Sequence, residues 1–198
     1  PQKVQRYAGD WARSLIKMKD LQPKILLPGH GPPIVGKDRV YDALESTAQY
    51  LLHLEDDTIS LMNKGASLDE ILSIVKPNAL LGEKHFLQPV YDEPEFIIRN
   101  IWRLYGGWYD GQPANLKPPS ESDFAKELSD LIPGGPEKLI QRALELSSQN
   151  KWRLSCKLAD LAYQCDKNNI DINTARGQIY SLRAENETST MSVGIFNS

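Results

Sequence analysis

The chain has 198 residues and a net charge of −3, from 23 lysines and arginines against 26 aspartates and glutamates. Because both signs are interleaved, no basic stripe or tail indicates binding to nucleic acid, and we exclude nucleic acid as a partner. No apolar stretch approaches the ~20 residues that span a bilayer, and no signal peptide pattern is present. Since the chain begins with Pro1 rather than methionine, we expect a processed, cleaved or cloned fragment.

The first predicted elements are a helix and a strand. Apolar residues recur at three- and four-residue spacing over residues 3–21, which predicts an amphipathic helix that ends before Pro23. Residues 25–27 are then interpreted as a short buried strand, and no second strand is recognisable further along. Because an isolated strand is not stable, this segment either joins a sheet supplied by residues outside the chain or forms an extended link.

The predicted strand is followed by a turn that presents one histidine. Pro28, Gly29 and Gly31 prevent the strand from continuing, and the glycines on both sides of His30 allow a ligand to approach closely. A rigid turn at the end of a strand often carries a metal ligand or a catalytic imidazole. From these residues alone, His30 is equally compatible with an ordinary loop histidine.

Three helices are predicted in the middle of the chain, and capping residues define their limits. The first ends with a glycine C-cap at Gly65, and Ser67 with Glu70 forms a capping box that opens the second. Proline at the first position opens the third, which is apolar almost all round and is therefore expected to be buried. These helices cover residues 37–64, 68–75 and 94–105.

Two further histidines are given simpler interpretations than metal binding. His53 lies near the acidic residues 55–57, but residues 53, 55 and 56 do not share one face of a helix. A solvated acidic stretch is therefore favoured over a metal cluster at this position. His85 is expected to lie in a loop.

A glycine-rich turn at residues 106–111 ends the third helix. At least one of its glycines is expected to have a positive φ, and Trp108 is expected to be a buried anchor. Tyr105 and Tyr109 are candidate substrate-side groups, because a phenol beside a glycine-flanked turn can reach into a neighbouring site. The alternative is that these aromatic side chains fill a helix junction.

A segment rich in proline and serine at residues 117–122 marks the best internal boundary, and further helices follow it. From residue 37 onward the chain is predicted to be all-α. The pair of helices at 136–165 resembles a single tetratricopeptide-like hairpin, which is too short to make a repeat array. The four helices after the boundary are expected at 122–132, 136–149, 152–165 and 171–188.

Residues 25–33 and 103–116 resemble, in this order, the carboxy-terminal half of the alkyl-sulfatase-like branch of the metallo-β-lactamase superfamily. In that branch an αββα catalytic domain ends with a helix, a strand and a Gly-His-Gly-Pro turn, and an all-α dimerisation domain follows. The resemblance implies a mainly α chain with residues 1–36 as the end of the catalytic domain and residues 37–198 as the dimerisation domain. Gln112 stands where asparagine is usual, and the residues that match the second signature are Tyr105, Gly107, Trp108, Tyr109, Asp110, Gly111, Pro113 and Ala114.

The resemblance also implies a function. His30 matches the histidine that completes the second zinc site of a dinuclear centre, whose other ligands lie upstream in the family. The parent protein would be a zinc-dependent hydrolase of an alkyl sulfate or a related ester, with Tyr105 and Tyr109 as candidate catalytic residues. This part would mainly mediate homodimerisation, and its expected partners are a second copy and the upstream catalytic domain.

The alternative function is a non-catalytic helical module for dimerisation or protein interaction. It is favoured by the chain as it stands, because one metal ligand cannot hold a catalytic zinc ion. On either interpretation we expect a symmetric homodimer that buries well over ~1,200 Å² in total. The isolated chain is expected to carry no stoichiometric zinc and to be inactive.

Overall fold

A computed structural model describes residues 4–198, which form two compact units, 4–116 and 117–198. The mainly α fold predicted from the sequence is confirmed. The first unit contains α1 (Ala8–Asp20), β1 (Ile25–Leu26), β2 (Ile34–Val35), α2 (Lys37–Asn63), α3 (Leu68–Ile74), α4 (Ala79–Gly82) and α5 (Pro94–Gly106), with 3₁₀ turns at His85–Leu87 and Pro113–Asn115. The second unit contains α6 (Glu121–Asp130), α7 (Gly135–Ser148), α8 (Trp152–Cys165), α9 (Ile170–Glu185) and α10 (Thr190–Phe196). No helix within residues 4–198 is long and apolar enough to cross a membrane.

The expectation of a single buried strand was wrong. Strands β1 and β2 pair antiparallel, with Ile25 opposite Val35 and Leu26 opposite Ile34. Ile25 is 56% exposed, so the strand is stabilised by its partner strand and not by burial. The second strand has only two residues and therefore shows no alternating pattern that could be recognised in the sequence.

The helix predicted at residues 3–21 is shorter in the structure, because α1 begins at Ala8. Residue 3 lies outside the described residues, as do the first three residues of the expected domain 1–36. Ala8 and Ala12 are buried on α1, and small side chains at these positions allow close packing against α2. Helix α1 therefore belongs to the same compact unit as the helices that follow residue 36.

The predicted helix limits in the middle of the chain are confirmed at their caps. Gly65, with φ of +81°, follows the end of α2. At the start of α3, Ser67 and Glu70 form the predicted capping box, with the Ser67 amide donating to the Glu70 carboxylate at 2.7 Å. These local contacts satisfy backbone groups that a helix end leaves without a partner.

Helix α5 is less buried than predicted. Its buried residues are Ile98, Asn100, Ile101 and Trp102, whereas Tyr105 is 56% exposed. One face packs into the core beside α2 and α3, and the opposite face is open in this unit. A helix that is apolar almost all round is buried completely only where other groups cover both of its faces.

The second unit has a core of its own. Helices α7 and α8 pack as a hairpin joined by a short turn, and α6 and α9 pack against α8. The sequence predicted four helices here, but a fifth, α10, follows a serine N-cap at Ser189. The fully or nearly buried apolar residues of this core are Leu139, Ile140, Ala143, Ala159, Ala162, Ile172 and Ile179.

Candidate functional site

His30 lies in the loop that joins β1 to β2, and it is exposed. The hairpin holds both ends of this loop, because the Gly36 amide also donates to the carbonyl oxygen of Lys24 at 2.8 Å. Within residues 4–198 no group forms a hydrogen bond or ion pair with the His30 imidazole. An uncommitted imidazole on a closed loop can bind a metal ion held by other ligands.

The described residues do not make a zinc site by themselves. Nowhere in residues 4–198 do three His, Cys, Asp or Glu side chains lie close enough together to hold a metal ion. His53 instead faces Asp57 on the next turn of α2, with 3.6 Å between Nε2 and the carboxylate. His30 can therefore supply one ligand, while a zinc centre takes three or four.

The turn at residues 106–111 is fixed by backbone contacts from two directions. Trp102 donates its Nε1 proton to the carbonyl oxygen of Tyr109 at 2.8 Å. The Leu68 amide, at the start of α3, donates to the carbonyl oxygen of Asp110 at 3.1 Å. Gly107 and Gly111 have φ of +78° and +87°, which confirms the prediction of positive φ in this turn.

The Asp110 side chain forms hydrogen bonds with the segment that follows the turn. Its carboxylate accepts hydrogen bonds from the Gln112 amide at 2.9 Å and from Asn115 Nδ2 at 2.5 Å. The hydrogen bond from Asn115 has the largest effect on the pKa of Asp110, and the bond from the Gln112 amide has the next largest. Together they hold this pKa below its ordinary value. The Asp110 carboxylate therefore joins the turn at residues 106–111 to the segment that follows it.

The expectation that Trp108 is a buried anchor was wrong. Trp108 is 74% exposed, and its ring meets Tyr109 edge-on with 6.1 Å between centroids. Trp102, at 9% exposure, is the tryptophan that anchors this region. The Trp108 ring therefore lies outside the packed interior of the unit.

The two candidate tyrosines have different environments. The Tyr105 hydroxyl donates to Glu55 Oε1 at 3.4 Å. The pKa of Tyr105 is raised by desolvation and, after that, by the nearby Glu55 carboxylate. Tyr109 is half-buried, and its hydroxyl has no hydrogen-bond partner in the part of the chain that the structure describes. The structure brings Tyr105, but not His30, into contact with a charged group.

Glu55 is the residue that sequence reasoning missed. The sequence predicts a solvated acidic stretch here, but Glu55 is only 5% exposed, and Arg13 Nη1 lies 3.4 Å from its carboxylate. A signal was present in the spacing of α2, where residues 44, 48, 51, 55 and 58 are all buried. An acidic residue at a core position of a helix indicates a specific partner.

Comparison with known proteins agrees with the signature. The family described as "Alkyl sulfatase dimerisation" matches residues 67–198. A linear primary-alkylsulfatase from Pseudomonas sp. (strain ATCC 19151) is 31% identical over 157 residues, which is 79% of this chain and 30% of that protein. An (R)-specific secondary-alkylsulfatase from Pseudomonas sp. is 28% identical over 166 residues, covering 83% of this chain and 25% of the relative.

A solved structure has the same fold. The stereoselective inverting sec-alkylsulfatase Pisa1 from Pseudomonas sp. superposes with a TM-score of 0.87 at 25% identity, covering 97% of this chain and 31% of that one. The chain thus spans less than a third of the length of these relatives. With two thirds of its residues matched by the family, this chain belongs to the alkyl sulfatase dimerisation family.

Proposed function

We propose that the chain is the carboxy-terminal part of a zinc-dependent hydrolase of the metallo-β-lactamase superfamily, acting on an alkyl sulfate or a related ester. The observation that carries this proposal is the alkylsulfatase relative at 31% identity over 79% of the chain. In this proposal residues 1–36 end the catalytic domain, and residues 37–198 form the dimerisation domain with its tetratricopeptide-like hairpin. The helical part mainly mediates homodimerisation.

Exposed apolar side chains near the start of the chain support the assignment to a larger catalytic domain. Trp11 and Met18, seven residues apart on one side of α1, are both exposed. Leu21, Leu27 and Val35, around the two strands, are exposed as well. An apolar surface of this extent indicates a contact with another part of the protein, and we assign it to the upstream catalytic domain.

His30 would be one ligand of the zinc centre, with the remaining ligands supplied from the upstream domain. Bound zinc would supply a hydroxide nucleophile near neutral pH and polarise the ester. The hairpin that closes on both sides of His30 supports this role, because a metal ligand must be held in place before the ion binds. Tyr105 and Tyr109 would lie on the substrate side of the same site.

The test compares two exposed histidines in the intact enzyme that contains this chain. His30→Ala is expected to lower zinc content and hydrolysis of a linear alkyl sulfate together, because both depend on the same ligand set. His85→Ala, which changes a histidine in a 3₁₀ turn, is the matched control and is expected to retain both. A His30→Ala enzyme with full zinc content would contradict the assignment.

A second candidate function is a dimerisation module without chemistry. It is favoured by the donor set, since the described residues offer zinc a single ligand. The two functions are separated by joining this chain to the upstream residues of its parent. Hydrolysis that is restored by the longer protein favours the hydrolase, and a parent that dimerises but neither binds zinc nor cleaves sulfate esters favours the module.

A further inference from the structure

Three helices of the first unit meet at one buried carboxylate. Glu55 lies on α2, and its two nearest donors come from the other helices, Arg13 on α1 and Tyr105 on α5. Each donor atom is 3.4 Å from a different carboxylate oxygen. Both donor side chains are more than half exposed, whereas the carboxylate that they contact is buried.

The first turn of α1 is built around this carboxylate. The Glu55 oxygens lie against Gly9, the second residue of α1, where a Cβ atom would clash with them. The amino end of a helix carries a partial positive charge, which favours a carboxylate at this position. Together with Arg13, the helix end gives this buried acidic side chain favourable electrostatic partners.

Tyr105 has a single hydroxyl proton, and it donates the hydrogen bond that this proton forms to Glu55 Oε1. In this contact the phenol is the donor and the carboxylate oxygen is the acceptor. A ligand bound beside Tyr105 then contacts the lone pairs of the Tyr105 oxygen. The contact also fixes the phenol at the end of α5, immediately before the turn that carries Tyr109.

We propose that Glu55 is a positioning residue for Tyr105: its buried carboxylate accepts the hydrogen bond of the Tyr105 phenol and, through Arg13, ties the signature helix α5 to α1. This inference rests on the proposed function, in which Tyr105 is a substrate-side group. The juxtaposition itself rests on the burial of Glu55 and on its contacts with α1 and α5.

The contact is tested first on the 198-residue chain, without reference to activity. Tyrosines are labelled with ¹³C at Cζ, and the Tyr105 signal is identified by its loss in Tyr105→Phe. The charged groups that face the Tyr105 hydroxyl are Glu55 on α2 with Arg13 and Asp10 on α1. Removing the Glu55 charge with Glu55→Gln is expected to lower the pKa of Tyr105 toward its ordinary value, seen as an earlier midpoint in a titration above about pH 8.

Glu45→Gln is the matched control for this titration. Glu45 is also on α2 and also joins it to α1, through Lys19 at 2.7 Å. If Glu55 only held α1 and α2 together, Glu55→Gln and Glu45→Gln would have the same effect on the Tyr105 midpoint. A direct contact between Glu55 and Tyr105 moves this midpoint in Glu55→Gln alone. An unchanged midpoint in Glu55→Gln, or an equal change in both variants, would overturn the inference.

The second arm uses the intact enzyme with a linear alkyl sulfate. If Glu55 acts through Tyr105, Glu55→Gln and Tyr105→Phe each lower kcat/KM, and the double variant is no worse than Tyr105→Phe alone. Losses that multiply in the double variant would show that Glu55 acts elsewhere and contradict the inference. If the titration shifts but Tyr105→Phe keeps full kcat/KM, the substrate-side role of Tyr105 fails while the Glu55 contact stands.

Discussion

Trp102 stabilises the signature turn in two ways, since its ring is buried in the core of the first unit and its Nε1 holds the Tyr109 carbonyl. Trp102→Ala is expected to lower the free energy of unfolding by about 3–5 kcal/mol, as large core side chains do when truncated. The measurement is urea denaturation followed by circular dichroism.

Trp108→Ala provides the comparison for that experiment. Because 74% of its surface is already in water, this change is expected to alter the free energy of unfolding of the isolated chain by no more than about 0.5 kcal/mol. Equal losses for Trp102→Ala and Trp108→Ala would mean that the exposed ring is covered by a second copy under the conditions used.

Two buried serines in the second unit differ in their hydrogen bonding. Ser155 Oγ donates to the carbonyl oxygen of Ala143 at 2.7 Å, whereas Ser147 Oγ is buried with no partner among the described residues. Ser155→Ala is expected to cost about 1 kcal/mol of stability, and Ser147→Ala to be neutral or stabilising, because an unpaired buried hydroxyl carries a desolvation cost. Thermal unfolding of both variants checks this, and the reverse order would contradict it.

At the scale of single elements, helix α1 depends on having no side chain at Gly9. Gly9→Ala is expected to lower stability by about 1–3 kcal/mol, because the added methyl group meets the buried Glu55 carboxylate. Gly177 lies within α9 and has no neighbour near the place a Cβ would take. Gly177→Ala is therefore expected to raise stability by about 0.5–1 kcal/mol. Chemical denaturation of both variants measures the change in the free energy of unfolding. This change has opposite signs in the two variants if the account is correct.

Helix α2 is joined to its surroundings by ion pairs that respond to acid. The hydrogen bond from Lys84 holds the pKa of Asp42 below its ordinary value of 3.8, and that from Lys19 holds Glu45 below 4.5. Since folding lowers both pKa values, the stability that these pairs contribute is present above the ordinary values and is lost as the pH falls through the lowered ones.

The expected outcome is a decrease in melting temperature as the pH is lowered below about 4.5, with a smaller decrease in a variant that combines Asp42→Asn and Glu45→Gln. Scanning calorimetry at several pH values measures both proteins. Because all four side chains keep some contact with solvent, which weakens an ion pair, a modest effect is expected. An unchanged acid response in the double variant would assign the loss of stability to other carboxylates.

For the whole molecule, the family match predicts self-association. The family that matches residues 67–198 is described by dimerisation. We expect a symmetric dimer that buries more than about 1,200 Å² in total. Light scattering at tens of micromolar is the measurement, and a monomer throughout that range would contradict the prediction.

A second prediction for the whole molecule concerns the zinc content of the isolated chain. The isolated chain is expected to bind no stoichiometric zinc, because His30 is one donor and metal affinity comes from several converging ligands. Metal analysis after dialysis of the isolated chain against zinc tests this. One zinc ion bound per chain would contradict this prediction, because residues of this chain would then form a zinc site by themselves.

Local chemistry could be predicted well from the sequence. The capping box at Ser67, the glycine after α2 and the positive φ values around Trp108 depend on residues a few positions apart. Helical spacing located most helices for the same reason, because a helix satisfies its backbone groups within its own segment. The family signature could be recognised because it too is a continuous segment of the chain.

What the sequence by itself determined was therefore the helical architecture, the turn chemistry and the family. Tertiary structure decided which side chains are buried: Glu55 faces α1 and α5, Trp108 is exposed, and Ile34–Val35 pairs with β1. The physical reason is that burial and strand pairing depend on groups far away in the chain, such as Gly9 and Tyr105 for Glu55. No spacing within one helix records where those distant partners will lie.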